Sequence, residues 1–334
     1  MADDAVRIDP SVAKVVNQWK YEPSPLIACR FDPSGQYLFA GAQDSRVVRL
    51  RLDSGEFTPL TAHDSWVRAI GFTHAGQHCW SAGYDGRLIE WETTAAAPTP
   101  LRTIDAHQGW VRSLDVSPDQ QLLATAGNDM LVRMWDPGSG QLRHTCTGHD
   151  RHVYSVLFAA DGKSLFSGDL RGVVKRWDVT TGAELATWDA KQLYTPNPGQ
   201  GAEYGGVRSM SFSAARNELA CGGLYNGSNP FGAVQEPLVV VLNCGDGATA
   251  RIHTGKDAPK AICWRVIQHA EGFLLGGCGG SAGGFICFWK PDAETELHRL
   301  ALPNTVLDMD LDSTGQRVAT AHYDRHIRVT QLHA

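Results

Sequence analysis

Long apolar runs are missing from this chain. No window of about eighteen consecutive apolar residues occurs, so no segment reads as a membrane-spanning helix. Paired C-x-x-C cysteines are missing too. The eight cysteines (Cys29, Cys79, Cys146, Cys221, Cys244, Cys263, Cys278 and Cys287) stand apart, which argues against a zinc ribbon or a thioredoxin-like motif. The opening MADDAVRIDP is acidic and lacks the basic-then-apolar order of a secretory signal. The cysteines therefore read as reduced thiols packed as small hydrophobes, and the expected location is cytoplasmic. Positive charge is not in excess: 30 Lys and Arg face 36 Asp and Glu, for a net charge of -6, which disfavours nucleic acid as the partner. There is no G-x-x-x-x-G-K-[ST] loop, because His253-Thr254-Gly255-Lys256 is followed by Asp257, and the thirteen histidines include no H-E-x-x-H pair. Neither a metal nor another cofactor is expected. Helical periodicity is not sustained anywhere.

What the chain has in quantity is Gly, at 35, and Trp, at 10, set in an internal repeat. HDSWVRAIGFTHAGQHCWSAGYDGRLIEWE from His63, HQGWVRSLDVSPDQQLLATAGNDMLVRMWD from His107 and HDRHVYSVLFAADGKSLFSGDLRGVVKRWD from His149 superpose almost without gaps. The histidines are 44 and 42 residues apart; each is followed after 18 residues by Ser81, Thr125 or Ser167 and after 28 by Trp91, Trp135 or Trp177. Weaker copies begin at Leu26, Val207, Lys260 and Val306, making seven units. Each unit holds apolar runs of five to seven residues rich in Val, Leu and Trp and bounded by Gly, Asp and Pro, which read as strands.

Four strands per unit at a period of 40-odd residues, with Gly148-His149, Trp135-Asp136 and Trp177-Asp178 written out, resemble the WD-repeat β-propeller family. The resemblance is strong over residues 63–178 and weaker elsewhere. It implies an all-β, single-domain chain over residues 1–334. This would be a seven-bladed propeller of four-stranded antiparallel blades starting near residues 26, 63, 107, 149, 203, 257 and 302. The run AKVVNQWK, within an N-terminal segment of residues 1–25, reads as a strand, and in the family's pattern such a segment completes the last blade.

His, Ser or Thr, and Asp recur in each strong unit and imitate a hydrolytic triad. A set present once per blade is structural: the resemblance implies a buried chain joining His63, Ser81, Asp85 and Trp91 in blade two, and His107, Thr125, Asp129 and Trp135 in blade three. Blade four supplies His149, Ser167 and Trp177, but Arg171 stands where the Asp is expected. Blade seven keeps Thr320 and Asp324, and blade one keeps Asp44 alone.

The resemblance also implies that the mouth of the central channel, on the top face, carries partner contacts. The residues there are Trp66, Trp110 and His152, then Arg68, Arg112 and Tyr154, with Arg208 in blade five and Lys260 in blade six as equivalents. Tyr84, Asn128 and Tyr323, just before the tight-turn Asp, lie at the same level. Three Gly- and Pro-rich stretches (189–206, 222–237 and GGCGGSAGG within 276–284, the last read as a flexible loop) are expected as loops on the same face, offering Tyr194, Tyr204, Tyr225 and Phe231. Trp, Tyr and Arg are the residue types of binding hot spots, and converging cations suit acidic groups. The expectation is a non-catalytic scaffold for an acidic protein or peptide. The alternatives are a propeller enzyme with a site in the top funnel, or a nucleic-acid-binding module. The competing structural account is that Arg68 and Arg112 pair with Asp64 or Asp85.

Overall fold

The computed structural model describes residues 8–228 and 235–333. Seven four-stranded antiparallel sheets follow one another along the chain, and among the described residues there is no α-helix, only short 3-10 turns. Blade one takes the strands within 26–61, blade two 67–105, blade three 111–146, blade four 153–189, blade five 209–254 and blade six 262–302. The seventh sheet has Val306–Leu311, Arg317–His322 and His326–Gln331, with Lys14–Lys20 hydrogen-bonded to the last of these from Lys14 opposite Gln331 to Lys20 opposite His326. No described helix is long and apolar enough to cross a membrane.

The strands are short because each ends at a turn residue, and nearly every inner position is apolar. The core lies between neighbouring sheets, where Trp80, Trp91, Trp177 and Trp289 are fully buried. All eight cysteines are free and buried within these layers.

In each sheet the first strand lies nearest the axis: Leu26–Phe31, Val67–Thr73, Val111–Val116, Val153–Phe158, Ser209–Ser213, Ile262–Gln268 and Val306–Leu311. Its free edge carries backbone N–H groups that need partners. Three blade junctions supply them from side chains. Ser113 and Asp115 accept from Val156 N (3.2 Å) and Phe158 N (2.7 Å). Ser209 and Ser211 accept from Val266 N (2.8 Å) and Gln268 N (2.9 Å). Asp308 and Asp310 accept from Cys29 N (3.1 Å) and Phe31 N (2.9 Å). The carboxylates among these are costly inside the channel. Burial pushes Asp115 up to about 6, and it raises Asp310 as well. Asp308 pays the same burial cost, yet Arg30, at 2.7 Å, and Arg265 hold it below the ordinary carboxylate range.

The three stretches expected as loops are partly ordered strand. Residues 189–206 contain a two-stranded hairpin, Tyr194–Asn197 with Ala202–Gly205. In blade five the strands Glu218–Tyr225 and Glu236–Asn243 run well into the 222–237 stretch; Phe231 lies outside the described residues. The glycine-rich run of blade six is not a flexible loop but the hairpin Leu274–Gly280 and Gly283–Trp289, paired to its tip at Gly280 and Gly283. Glycine is required there by close packing. A Cβ on Gly276 would lie 2.6 Å from the Trp289 ring, and one on Gly284 would overlap the carbonyl oxygen of Asn304.

Candidate functional site: the channel mouth

The polar chains of blades two to four set the level of the top-face loops. In blade two the Trp91 indole N–H donates to Ser81 Oγ (2.8 Å), and Ser81 Oγ lies 2.8 Å from His63 Nε2, with His63 Nδ1 2.9 Å from Asp85. Asp85 can only accept, so Nδ1 carries the proton and the hydroxyl donates to Nε2. Blade three repeats the chain through Trp135, Thr125, His107 and Asp129 at 2.9, 2.8 and 2.8 Å. Burial holds His107 below its ordinary pKa, against the pull of Asp129.

Blade four is complete, contrary to the expectation raised by Arg171. Trp177 donates to Ser167 (2.8 Å), Ser167 meets His149 (2.7 Å), and His149 Nδ1 reaches Asp169 at 3.0 Å. Asp169 occupies the strand position that Gly83 holds in blade two, because each pairs with the first valine of its inner strand. A Cβ on Gly83 would lie 2.7 Å from Asp85 Oδ1 and 2.8 Å from His63 Nδ1, so that position and the turn position cannot both carry the side chain. With Arg171 turned outward, the space is open and Asp169 fills it.

Blade seven makes a similar exchange. His322, again at the Gly83-equivalent position, meets Thr320 Oγ1 at 2.8 Å and the Asn304 carbonyl at 2.9 Å, while Asp324 pairs with Arg328. In blade one the Tyr21 hydroxyl donates to Asp44 (2.9 Å). Tyr21 and His322 escaped sequence reading because each sits outside the register in which the histidine recurs.

At the mouth, six of the seven inner strands have near their start an irregularity in register that falls on one residue: Ile27, Arg68, Arg112, Tyr154, Trp264 and Leu307. Bulges re-aim a side chain. Arg208 precedes Ser209 in blade five and pairs its N–H with Gly222 O at 2.8 Å. Lys260 is therefore not the blade-six equivalent of Arg68; Trp264 is, and the Lys260 ammonium is spent on Glu236 at 3.2 Å. In KAICWRV the bulge residue stands four positions after Lys260.

These residues form an alternating array. Trp66 stacks near Tyr84 (5.8 Å between centroids), and Tyr84 lies parallel to Trp110 (4.3 Å, 3°). Arg112 covers Trp110 at 4.6 Å and Tyr154 at 4.8 Å. Arg208 covers the same Tyr154 at 4.2 Å and Trp264 at 5.6 Å. Backbone bonds hold the two rows level, with Tyr84 N donating to Trp66 O (2.8 Å) and Asn128 N to Trp110 O (2.9 Å).

None of the three arginines pairs with a carboxylate among the described residues. Arg68 donates to the Ile27 carbonyl (2.9 Å), Arg112 Nε to Asn128 Oδ1 (2.7 Å), and Asp64 pairs instead with Arg87. Arg208 has its Nε buried without an acceptor. Burial, then Arg112 and Arg68, lower its pKa; Tyr154 and Tyr84 oppose them. His152 is half-buried, its Nδ1 2.8 Å from the Asn128 carbonyl. Tyr323 is exposed and edges a cavity of about 200 Å³ lined also by Ile27, Trp66, Arg68, Trp264 and Leu307.

The hairpin 194–205 stands beside this mouth. Glu203 anchors it, accepting from Arg171 (2.7 Å), the Tyr194 hydroxyl (2.8 Å) and Arg151 (3.0 Å). Against its desolvation, these donors pull Glu203 down to about 2. Arg171, misplaced for the polar chain, is thus the hairpin's tether. Tyr225 donates to Glu236 at 2.7 Å.

Seven radial sheets with recurring Trp–Ser/Thr–His–Asp chains and a decorated mouth define a propeller of the WD-repeat class. A family profile described as "WD domain, G-beta repeat" matches residues 98–136 and 140–178. The chain is 33% identical over 261 residues to the target of rapamycin complex subunit wat1 of Schizosaccharomyces pombe, covering 75% of this chain and 72% of that protein. It is 26% identical to the COMPASS component SWD3 of Saccharomyces cerevisiae, over 51% of this chain and 56% of that one. With periodic tryptophan protein 2 of Arabidopsis thaliana it shares 27% identity over 48% of this chain and 23% of the relative. The chain thus spans about half of the second relative's length and under a quarter of the third's. It belongs to the WD-repeat family.

Proposed function

We propose that this protein is a non-catalytic interaction scaffold whose top face receives an acidic protein or peptide partner. The observation that carries this reading is the set Arg68, Arg112 and Arg208, three cations on a protein of net charge -6 that meet aromatic faces and neutral acceptors instead of carboxylates. Guanidinium groups held this way keep donor edges for an incoming anion, and their rings are hot-spot residue types. Two of the relatives bear the names of a complex subunit and a complex component, which agrees with a role in assembly. Fold alone does not fix function.

The test is affinity capture from the source cell with the wild type and with Trp66→Ala/Arg68→Ala/Trp110→Ala/Arg112→Ala. Circular dichroism and melting serve to verify that the variant folds. A specific acidic prey lost from the variant supports the platform. Identical prey lists refute it and direct attention to the bottom face or the blade edges. A salt titration of any nucleic acid recovered would show the steep loss of affinity expected for phosphate contacts.

A further inference from the structure

The mouth is chemically divided. One side, formed by blades seven, one and two with Trp264, is the cavity of about 200 Å³, and its walls are apolar or aromatic apart from Arg68 and a glutamine. The other side, over blades three to five, is the Arg112–Tyr154–Arg208 row, where Arg208 also lines a cavity of about 270 Å³ inside the channel. A volume of about 200 Å³ is smaller than a drug-sized pocket and matches one inserted side chain. The rim of that cavity is unusually bare: Trp66 is 42% and Tyr323 58% exposed, beside Trp110 at 43%. Large exposed rings around a concave apolar site mark a place for an anchor residue.

Resting on the top-face reading above, we infer that the partner segment is bipartite. An aromatic side chain seats in the cavity between Ile27, Trp66, Trp264 and Tyr323, and carboxylates of the same extended segment meet Arg112 and Arg208. The choice of occupant follows from complementarity. The cavity can desolvate a ring at little polar cost, whereas a carboxylate placed there would have Arg68 alone, with one of that guanidinium's donors already given to Ile27 O. Arg112 and Arg208 share Tyr154 between them and form no ion pair among the described residues, although Arg208 lines the channel cavity with Asp115 and Asp310, so acidic groups of the segment gain two charge-assisted contacts without displacing an existing ion pair. The ring supplies affinity, and the carboxylates supply orientation and salt-sensitive attraction.

The probe is a fluorescein-labelled Glu-Asp-Phe-Asp-Glu peptide, measured by anisotropy against the full chain beside the same peptide with Ala for Phe. The Phe peptide is expected to bind about tenfold or more tighter than the Ala peptide. Tyr323→Ala, which removes an exposed ring and leaves the core untouched, is expected to shrink that ratio toward one without weakening the Ala peptide. Arg112→Gln and Arg208→Gln are expected to weaken both peptides by a similar factor and to flatten their salt dependence. Equal affinity of the two peptides for the wild type overturns the bipartite reading, as does a ratio unchanged in Tyr323→Ala. Binding by neither peptide, with prey still lost in the capture experiment, overturns the bipartite segment alone; no binding and identical prey lists overturn the platform itself.

Discussion

Blade four offers the sharpest quantitative test, because alignment and structure disagree over which residue completes its polar chain. Asp169 is 2% exposed and accepts three donors: His149 Nδ1 at 3.0 Å, Arg171 N at 2.9 Å and Val173 N at 3.0 Å. Asp169→Ala leaves all three without an acceptor, in a space too enclosed for free exchange with water. An orphaned buried donor costs about 1–3 kcal/mol, and partial relaxation brings the sum to about 3–5 kcal/mol. Arg171→Ala removes only a half-exposed, solvent-screened pair with Glu203, so its effect should be much smaller. For cooperative unfolding of 334 residues, an entropy near 2 cal/mol/K per residue converts that figure to a Tm drop of about 4–7 °C for Asp169→Ala, with little change expected for Arg171→Ala. Urea melts and scanning calorimetry of both variants provide the assay. Equal losses for the two, or a larger loss for Arg171→Ala, would refute the exchange of the acidic position.

The other predictions concern pH, edges and close packing. Burial first, then Arg328, depresses His322 to about 4 from 6.5, so its contribution is fully present above the unfolded value and is lost as pH falls through the folded one. Wild-type stability should lose about 3 kcal/mol on this account between pH 7 and 4. His322→Gln should flatten that limb in urea melts at stepped pH, and an unchanged slope would remove His322 from the explanation. Deleting residues 1–20 takes the partner strand from His326–Gln331 and leaves a bare edge. Light scattering should show aggregation and the melting temperature should fall; an unaltered melt would argue against a closing role for this strand. Glu203→Gln should speed amide exchange across residues 194–205 while changing global stability by about 1 kcal/mol or less, because its ion pairs are partly exposed. Gly284→Ala drives a methyl group into the Asn304 carbonyl and should abolish soluble expression, whereas Gly272→Ala, with open space at its Cβ, should leave folding intact apart from a small backbone cost for its positive φ.

Much of this was legible in the residues. The His–Ser/Thr–Trp spacing of blades two and three passes directly into bonded chains, because covalent spacing along short strands fixes which side chains share a level. Trp66, Tyr84, Trp110 and Arg112 were legible for the same reason. Lys260 was misassigned because KAICWRV carries its bulge residue four positions later, and blade six lacks the histidine that fixes this position in blades two to four. The glycine run of blade six read as flexible because composition reports what a residue permits, whereas neighbouring chain decides what is required: Trp289 and Asn304 press on it from other strands.

Sequence alone therefore determined the repeat, the strand content, the class of fold and the residue types gathered at one mouth, since these follow from local periodicity and turn chemistry. Only tertiary structure decided that Asp169 and His322 stand in for missing partners, that Arg171 tethers a hairpin, and that Arg68, Arg112 and Arg208 meet no carboxylate. Each of these depends on atoms brought within about 3–6 Å from different strands or blades, a relation that chain order does not encode.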